Sequence, residues 1–391
     1  MSLRKQRKPP HYLFGATPSL WRELRQRYGD PDPQYRSTAR LIQLGIWSMA
    51  PERCWESWRF GRAIEQTELH PAPVFIVGHW QSGHSPMHHL MANDPQFATT
   101  RLLHVALPSC FATAEPFARF LLRRKKDMHQ YVDSMPLWLD GPQGDDMAMG
   151  NLTELSCYHG YTFPRSYEAI FRRTVLFEGV TADELTEWKR CYRWLCQKIA
   201  WHAGRSRVLS RNAAHTGRIP QLLELFPQAK FIHLHRNPYR AFAGQIEKWD
   251  NLSRVWVLQT PNVDQLVAET VRLYPVLMQK FLADRALIPA GQLAEVSYEE
   301  LLTNPVGTLH RVYSELSLPG IETLEPHLQA YVRNSKGRLA GHEIALTTEQ
   351  QELVRREWGF AFEAFGYSRD PAQTTEPTVS SVDDYTAHGE N

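Results

Sequence analysis

Residues 78–85 read Gly-His-Trp-Gln-Ser-Gly-His-Ser and follow the apolar, β-branched run Pro73 to Gly78. A strand, a short glycine-containing loop and a helix in that order place backbone N–H groups at a helix start, where they bind oxyanions. The hydroxyls of Ser82 and Ser85 add two donors, so the chemistry on offer is phosphate or sulfate binding. A Walker A loop, G-x-x-x-x-G-K-[ST], needs lysine after its second glycine. Here His84 follows Gly83, which disfavours ATP or GTP with a bound magnesium.

Two arginines extend the pattern. Arg236 ends the apolar run KFIHLHR (Lys230 to Arg236), and Arg211 ends the shorter run RVLSR (Arg207 to Arg211). Ligands of open α/β sheets lie beyond the carboxyl ends of the strands, where a guanidinium suits a phosphate. An ion pair with a neighbouring helix is the alternative for Arg236. Three strand ends carrying a donor loop and two cations are a stronger signal than any one of them.

The elements that must hold these groups are legible in the rest of the chain. PVFIVG has the continuous apolar character of a strand buried on both faces, and Pro86 to Met91 continues as helix. A capping box at Thr181 (T-A-D-E) opens a long helix through Trp201. RIPQLLELF and NPYRAFAGQIEKW read as helices after the second and third strands. LAEVSY (Leu293 to Tyr298) is a fourth strand candidate, and YEELLTNPVGTLHRVYSEL continues from it as helix. This alternation predicts right-handed βαβ units. The expected fold is α/β, a P-loop-like central parallel sheet flanked by helices, with a helical N-terminal addition. The expected divisions are a helical extension over residues 1–70, the α/β domain over 71–369 and a disordered polar tail over 370–391. Helical spacing in the extension falls around Leu20 to Tyr28 and Thr38 to Met49. It reads as a structural appendage, or, through CWESWRF, as the lining of an aromatic substrate pocket.

Composition narrows the class. The 391 residues carry 44 Lys+Arg against 42 Asp+Glu, a formal charge of +2, which argues against a general nucleic-acid surface. Cys54, Cys110, Cys157, Cys191 and Cys196 include no C-x-x-C pair, so reduced thiols are expected, with neither a disulfide frame nor a metal site. MSLRKQRKPPHYL leads into no apolar signal region. Apolar stretches such as Leu41 to Ala50 fall short of a membrane span, and a cytoplasmic protein is expected.

PVFIVGHWQSGHSPMHHLMANDPQF resembles the 5′-phosphosulfate loop of sulfotransferases that use 3′-phosphoadenosine 5′-phosphosulfate (PAPS), in particular the large bacterial-type group. RNAAHTGRIPQLLELFPQAKFIHLHRNPYRAF is similar to that group's second block. SYEELLTNPVGTLHRVYSELSLP resembles its later Y-E-[DE]-L segment, and DSMPLWLDGPQGDDMAMGNLT its acidic stretch. The likeness runs in order over roughly residues 70 to 330.

The resemblance implies PAPS as co-substrate, with Gly78, His79, Trp80, Gln81, Ser82, Gly83, His84 and Ser85 around its phosphosulfate and Arg236 on the 3′-phosphate. Arg211 stands where relatives carry a lysine near the sulfuryl group, and His215 and Thr216 match the H-T of the second block. Asp146, with Asp145 or His215 as substitutes, is the implied general base toward a small hydroxyl or amine acceptor, hydrophobic or aromatic.

Four positions depart from the family pattern. Gln81 replaces the loop's Arg or Lys, His84 its Thr, Gly244 a serine that also holds the 3′-phosphate, and Gly144 the first acidic residue. Exchanging a charged donor for Gln81 costs about 1–2 kcal/mol of binding, roughly tenfold. A protonated His84 is the expected replacement cation, with Arg240 or Lys336 covering for Gly244. The competing expectation is a diverged protein of this fold that no longer uses PAPS. It would run a different reaction through His84 and its neighbours, or bind a nucleotide or partner without catalysis.

Overall fold

Val74–Gly78 (β1) is hydrogen-bonded to a strand on each side, and all five of its residues are buried. The computed structural model describes residues 11–122, 128–129, 136–137, 140–252, 256–334 and 346–371. Lys336, nearly all of the expected tail and part of the acidic stretch lie outside the described residues. The chain divides into two compact units. One comprises Met1–Thr67, Thr100–His202 and Glu247–Glu269, and the other Glu68–Thr99, Ala203–Ile246 and Thr270–Asn391.

In the first unit the N-terminal addition forms three helices, α1 (Pro18–Tyr28), α2 (Arg36–Ser48) and α3 (Ala50–Glu65). Thr17 caps α1 by accepting from Leu20 N–H at 3.2 Å, and Pro18 sits where a missing N–H costs nothing. The helix Ala182–Ala203 starts at the expected box. Glu184 N–H donates to Thr181 Oγ1 (3.3 Å) and Thr181 N–H to Glu184 Oε2 (2.8 Å). Lys198 on that helix and Glu56 on α3 form a fully buried ion pair, and Glu56 also accepts from Thr113 N–H at 2.8 Å. CWESWRF therefore turns Glu56 inward while Trp55 and Trp58 are exposed, which corrects the expectation of a pocket-lining aromatic stretch.

The second unit is built on a five-stranded parallel sheet. Its strands are β1, β2 (Phe97–Thr99), β3 (Arg207–Arg211), β4 (Lys230–His235) and β5 (Leu293–Ser297), in the order β2-β3-β1-β4-β5. Its helices include α4 (His84–Met91), α5 (Ile219–Leu225), the start of α6 (Pro238–Leu252), which runs on into the first unit from Glu247, α7 (Tyr298–Thr303) and α8 (Pro305–Glu315). One face of β1, Val74 and Ile76, packs with Met87 and Leu90 of α4 and Leu309 and Val312 of α8. On the other face the Phe75 ring lies 5.6 Å from Phe231 and 6.1 Å from Phe226. Each such side chain stabilises the sheet by roughly 1.5–3 kcal/mol on burial. Buried on both faces, the central strands read as unbroken apolar runs; the edge strand β5 alternates, with Ala294 and Val296 inward.

The helix expected after β5 is two helices. Pro305 lacks the N–H that would continue α7, and Asn304 caps α8 by accepting from Gly307 N–H at 2.8 Å. The three-residue strand β2 lies outside the expected set.

Candidate functional site

The carboxyl ends of β1, β3, β4 and β5 lie at one edge, since register places Ile76 beside Arg211, Gly78 beside Leu234 and His235 beside Ser297. The predicted loop leaves β1 there. Gly78 takes φ +137°, and a side chain on it would meet the Leu234 carbonyl at 2.1 Å. Gly83, at φ +93°, starts α4 and sits so close to Tyr298 that a Cβ would fall 2.2 Å from that ring. Both positions demand glycine. Gln81 holds φ +68° without being glycine, a strained conformation of the kind kept at ligand-binding turns.

Thr216 fastens the start of the loop. Gly78 N–H donates to Thr216 Oγ1 (2.7 Å), and the same hydroxyl donates to the Gly78 carbonyl (2.9 Å). At the other end Arg211 Nη1 donates to Ser85 Oγ at 2.6 Å. Arg236 Nη1 donates to the Gln81 carbonyl at 3.1 Å, and its guanidinium stands 4.6 Å over the Tyr298 ring. Both predicted arginines thus meet the predicted loop.

The Arg236 turn has its own support. Glu299 Oε1 accepts from Asn237 N–H (3.0 Å), Glu299 Oε2 accepts from Tyr367 Oη (2.8 Å), and Asn237 Oδ1 accepts from Tyr239 N–H (3.0 Å) to cap α6. Tyr298 and Glu299 carry no role in the sequence reading. The Y-E pair was visible, but its task depends on β5 pairing beside β4.

His79 is buried, with its ring 4.7 Å from Tyr274 and 5.5 Å from Trp80. Ser82 is buried in the turn and donates its N–H to the His79 carbonyl at 3.2 Å. His84 is buried with Nε2 against the Gly78 backbone, short of a well-formed hydrogen bond. Burial first, then the Arg211 guanidinium, holds its pKa down to about 3. Burial beside the Arg211 guanidinium thus works against the imidazolium expected in the loop. Arg240 lies half-buried in the first turn of α6.

The proposed bases occupy different settings. His215 is fully buried in the turn Ala213–Gly217, its Nε2 3.5 Å from Asn212 Nδ2 and its Nδ1 3.5 Å from Arg218 Nη1. Asp145 and Asp146 belong to the first unit and are buried rather than solvated. Asp146 Oδ2 accepts from Ser156 Oγ and Cys157 N–H, both at 2.8 Å, and Asp145 Oδ2 accepts from Tyr192 Oη at 2.8 Å.

A strand–loop–helix turn flanked by two arginines stands at the carboxyl edge of the parallel sheet, the place where α/β proteins commonly hold anionic ligands. The chain belongs to the sulfotransferase family, whose sequence profile matches residues 73–322. It is 32% identical over 326 residues, 83% of this chain and 81% of the relative, to the omega-hydroxy-beta-dihydromenaquinone-9 sulfotransferases Stf3 of Mycobacterium bovis and Mycobacterium tuberculosis. The fold is similar to sulfotransferase STF9 of Mycobacterium avium, with TM-score 0.64, 14% identity and 90% and 97% of the two chains covered. It is also similar to STF1 of Mycobacterium tuberculosis, with TM-score 0.58, 13% identity and 87% and 90% covered.

Proposed function

We propose that this sulfotransferase takes its sulfuryl group from PAPS and passes it to the hydroxyl of an apolar small molecule in the cytoplasm. The observation that carries the reading is the meeting of Arg211 with Ser85 and of Arg236 with the Gln81 carbonyl, on either side of one helix start. In this reading the α4 N-terminus, Ser82 and Ser85 hold the 5′-phosphosulfate, and Arg236 holds the 3′-phosphate. The acceptor oxygen forms a bond to sulfur as the bond from sulfur to the bridging phosphate oxygen breaks. Arg211 stabilises the charge that grows on the bridging oxygen, a role that fixed cations fill in place of a metal. The acceptor proton passes to a base, a role that the family resemblance gives to Asp146, with Asp145 or His215 as substitutes. The menaquinone-type acceptor in the relatives' names supports an apolar alcohol here.

A second reading, a chain that keeps the fold but not the PAPS reaction, is favoured by one observation: Gln81 stands in the loop where the family pattern has a cation, and burial beside Arg211 works against a charged His84. Incubation of the pure protein with PAPS and a panel of apolar alcohols separates the two. The first reading expects 3′-phosphoadenosine 5′-phosphate to form only when an acceptor is present. Binding without turnover, or no binding, favours the second.

A further inference from the structure

On α2 and α3 five large apolar side chains face solvent: Leu41, Leu44, Trp47, Trp55 and Trp58 are 58, 66, 60, 54 and 75% exposed. A surface helix ordinarily turns polar residues outward. Here α2 is apolar on both sides, with Ile42 and Ile46 buried and Leu41, Leu44 and Trp47 outward over an arc of about 120°. Trp55, Trp58 and Arg62 share one face of α3 by their spacing, and the two indoles lie 5.1 Å apart.

Charge decides what would cover this face. Arg36, Arg40, Arg59 and Arg62 are exposed on the same two helices, and none forms an ion pair among the described residues. Of the three acids there, Glu56 is buried against Lys198, leaving Glu52 and Glu65. With four arginines against two acids, an uncharged apolar partner would leave a net positive charge on this face unmatched. A layer of lipid phosphates satisfies them while the indoles and leucines enter the boundary beneath. Tryptophan also favours that boundary, where its ring is apolar and its N–H is wet.

We propose that the outer face of α2 and α3 docks the protein onto an anionic phospholipid bilayer, with both helices lying in the plane of the headgroups. No helix among the described residues is long and apolar enough to cross a membrane, and the attachment proposed is through this face. It rests on this face alone and stands whether or not PAPS is the donor.

The test is flotation of the full chain with vesicles of phosphatidylcholine alone and of phosphatidylcholine mixed with phosphatidylglycerol. The protein is expected to float with the anionic vesicles, and to be released by salt. The triple variant Trp47→Ser, Trp55→Ser, Trp58→Ser should lower partitioning at least about tenfold. A second variant, Arg36→Gln with Arg40→Gln, should weaken it by roughly fivefold per arginine. These side chains are exposed, so circular dichroism and melting temperature should match the parent. The proposal is overturned if the parent protein does not float, or if the triple variant floats equally well. It is also overturned if sedimentation shows a dimer that the triple variant dissolves while vesicles are ignored, for the face would then join two copies of the chain.

Discussion

Gly244 lies under Gln81: a Cβ built on the glycine would stand 3.2 Å from Gln81 Cβ and 3.4 Å from its Oε1. Two of the four departures from the family pattern are therefore one physical unit. A serine at 244 needs the Gln81 side chain to shift by a few tenths of an ångström, and the backbone at φ +68° limits how it can do so. Titration of 3′-phosphoadenosine 5′-phosphate should show Gln81→Arg binding roughly tenfold tighter than the parent. Gly244→Ser should behave differently in the two backgrounds, with a coupling of at least about 0.5 kcal/mol in the double-mutant cycle. Strict additivity would show that the contact has no energetic role.

Arg236 is expected to report on the 3′-phosphate alone. Removing a charged donor costs about 1.5–3 kcal/mol, so Arg236→Ala should weaken PAPS binding between roughly tenfold and a hundredfold. Affinity for adenosine 5′-phosphosulfate, which lacks the 3′-phosphate, should change little. Equal losses for both nucleotides would place the guanidinium's effect on the loop, through the Gln81 carbonyl, instead of on the ligand.

Thr216 should be a positioning residue. Thr216→Val keeps the shape but strands the Gly78 N–H and carbonyl, a loss of about 1–3 kcal/mol in a buried setting. Thr216→Ser retains the hydroxyl and should recover most of both the melting temperature and nucleotide affinity. If serine fails where valine succeeds, the methyl group rather than the clasp is what matters.

Much of this geometry was legible in the sequence, for identifiable reasons. VFIVG and KFIHLH announce strands because a strand buried on both faces reads as a nearly unbroken apolar run, and the ends of RVLSR and KFIHLHR fixed where Arg211 and Arg236 would stand. Phe97–Thr99 is too short to show a period, and it pairs only with β3 at the sheet edge. Asn304-Pro305 carried a readable helix break that the apolar spacing on both sides outweighed. Burial is what the sequence hid. The lowered pKa of His84 follows from its enclosure beside Arg211, and the inward turn of Glu56 from a lysine far along the chain. The role of Tyr298 was equally hidden, because it comes from strand register and not from local pattern.

Acid should destabilise the fold through its enclosed histidines. His84 is lowered from 6.5 to about 3, and His11 and His159 to about 4, in each case chiefly by burial. Below pH 6.5 the unfolded chain binds protons that the folded chain refuses, so stability is full above that value and falls as pH drops toward 4 and 3. One such histidine accounts for about 2 kcal/mol at about pH 5. Melting temperature should fall steadily from neutral pH to about pH 5, and His84→Asn should flatten part of that slope. A variant curve parallel to the parent's would mean that His84 accepts a proton without unfolding.

In the proposed function one nucleotide spans the helix start at Gly83 and the guanidinium of Arg236. A crystal soaked with 3′-phosphoadenosine 5′-phosphate tests it most directly. The 5′-phosphate is expected against the N–H groups of residues 82–85 and the 3′-phosphate within hydrogen-bonding distance of Arg236. A nucleotide bound elsewhere, or an edge that stays empty at saturating ligand, would contradict it.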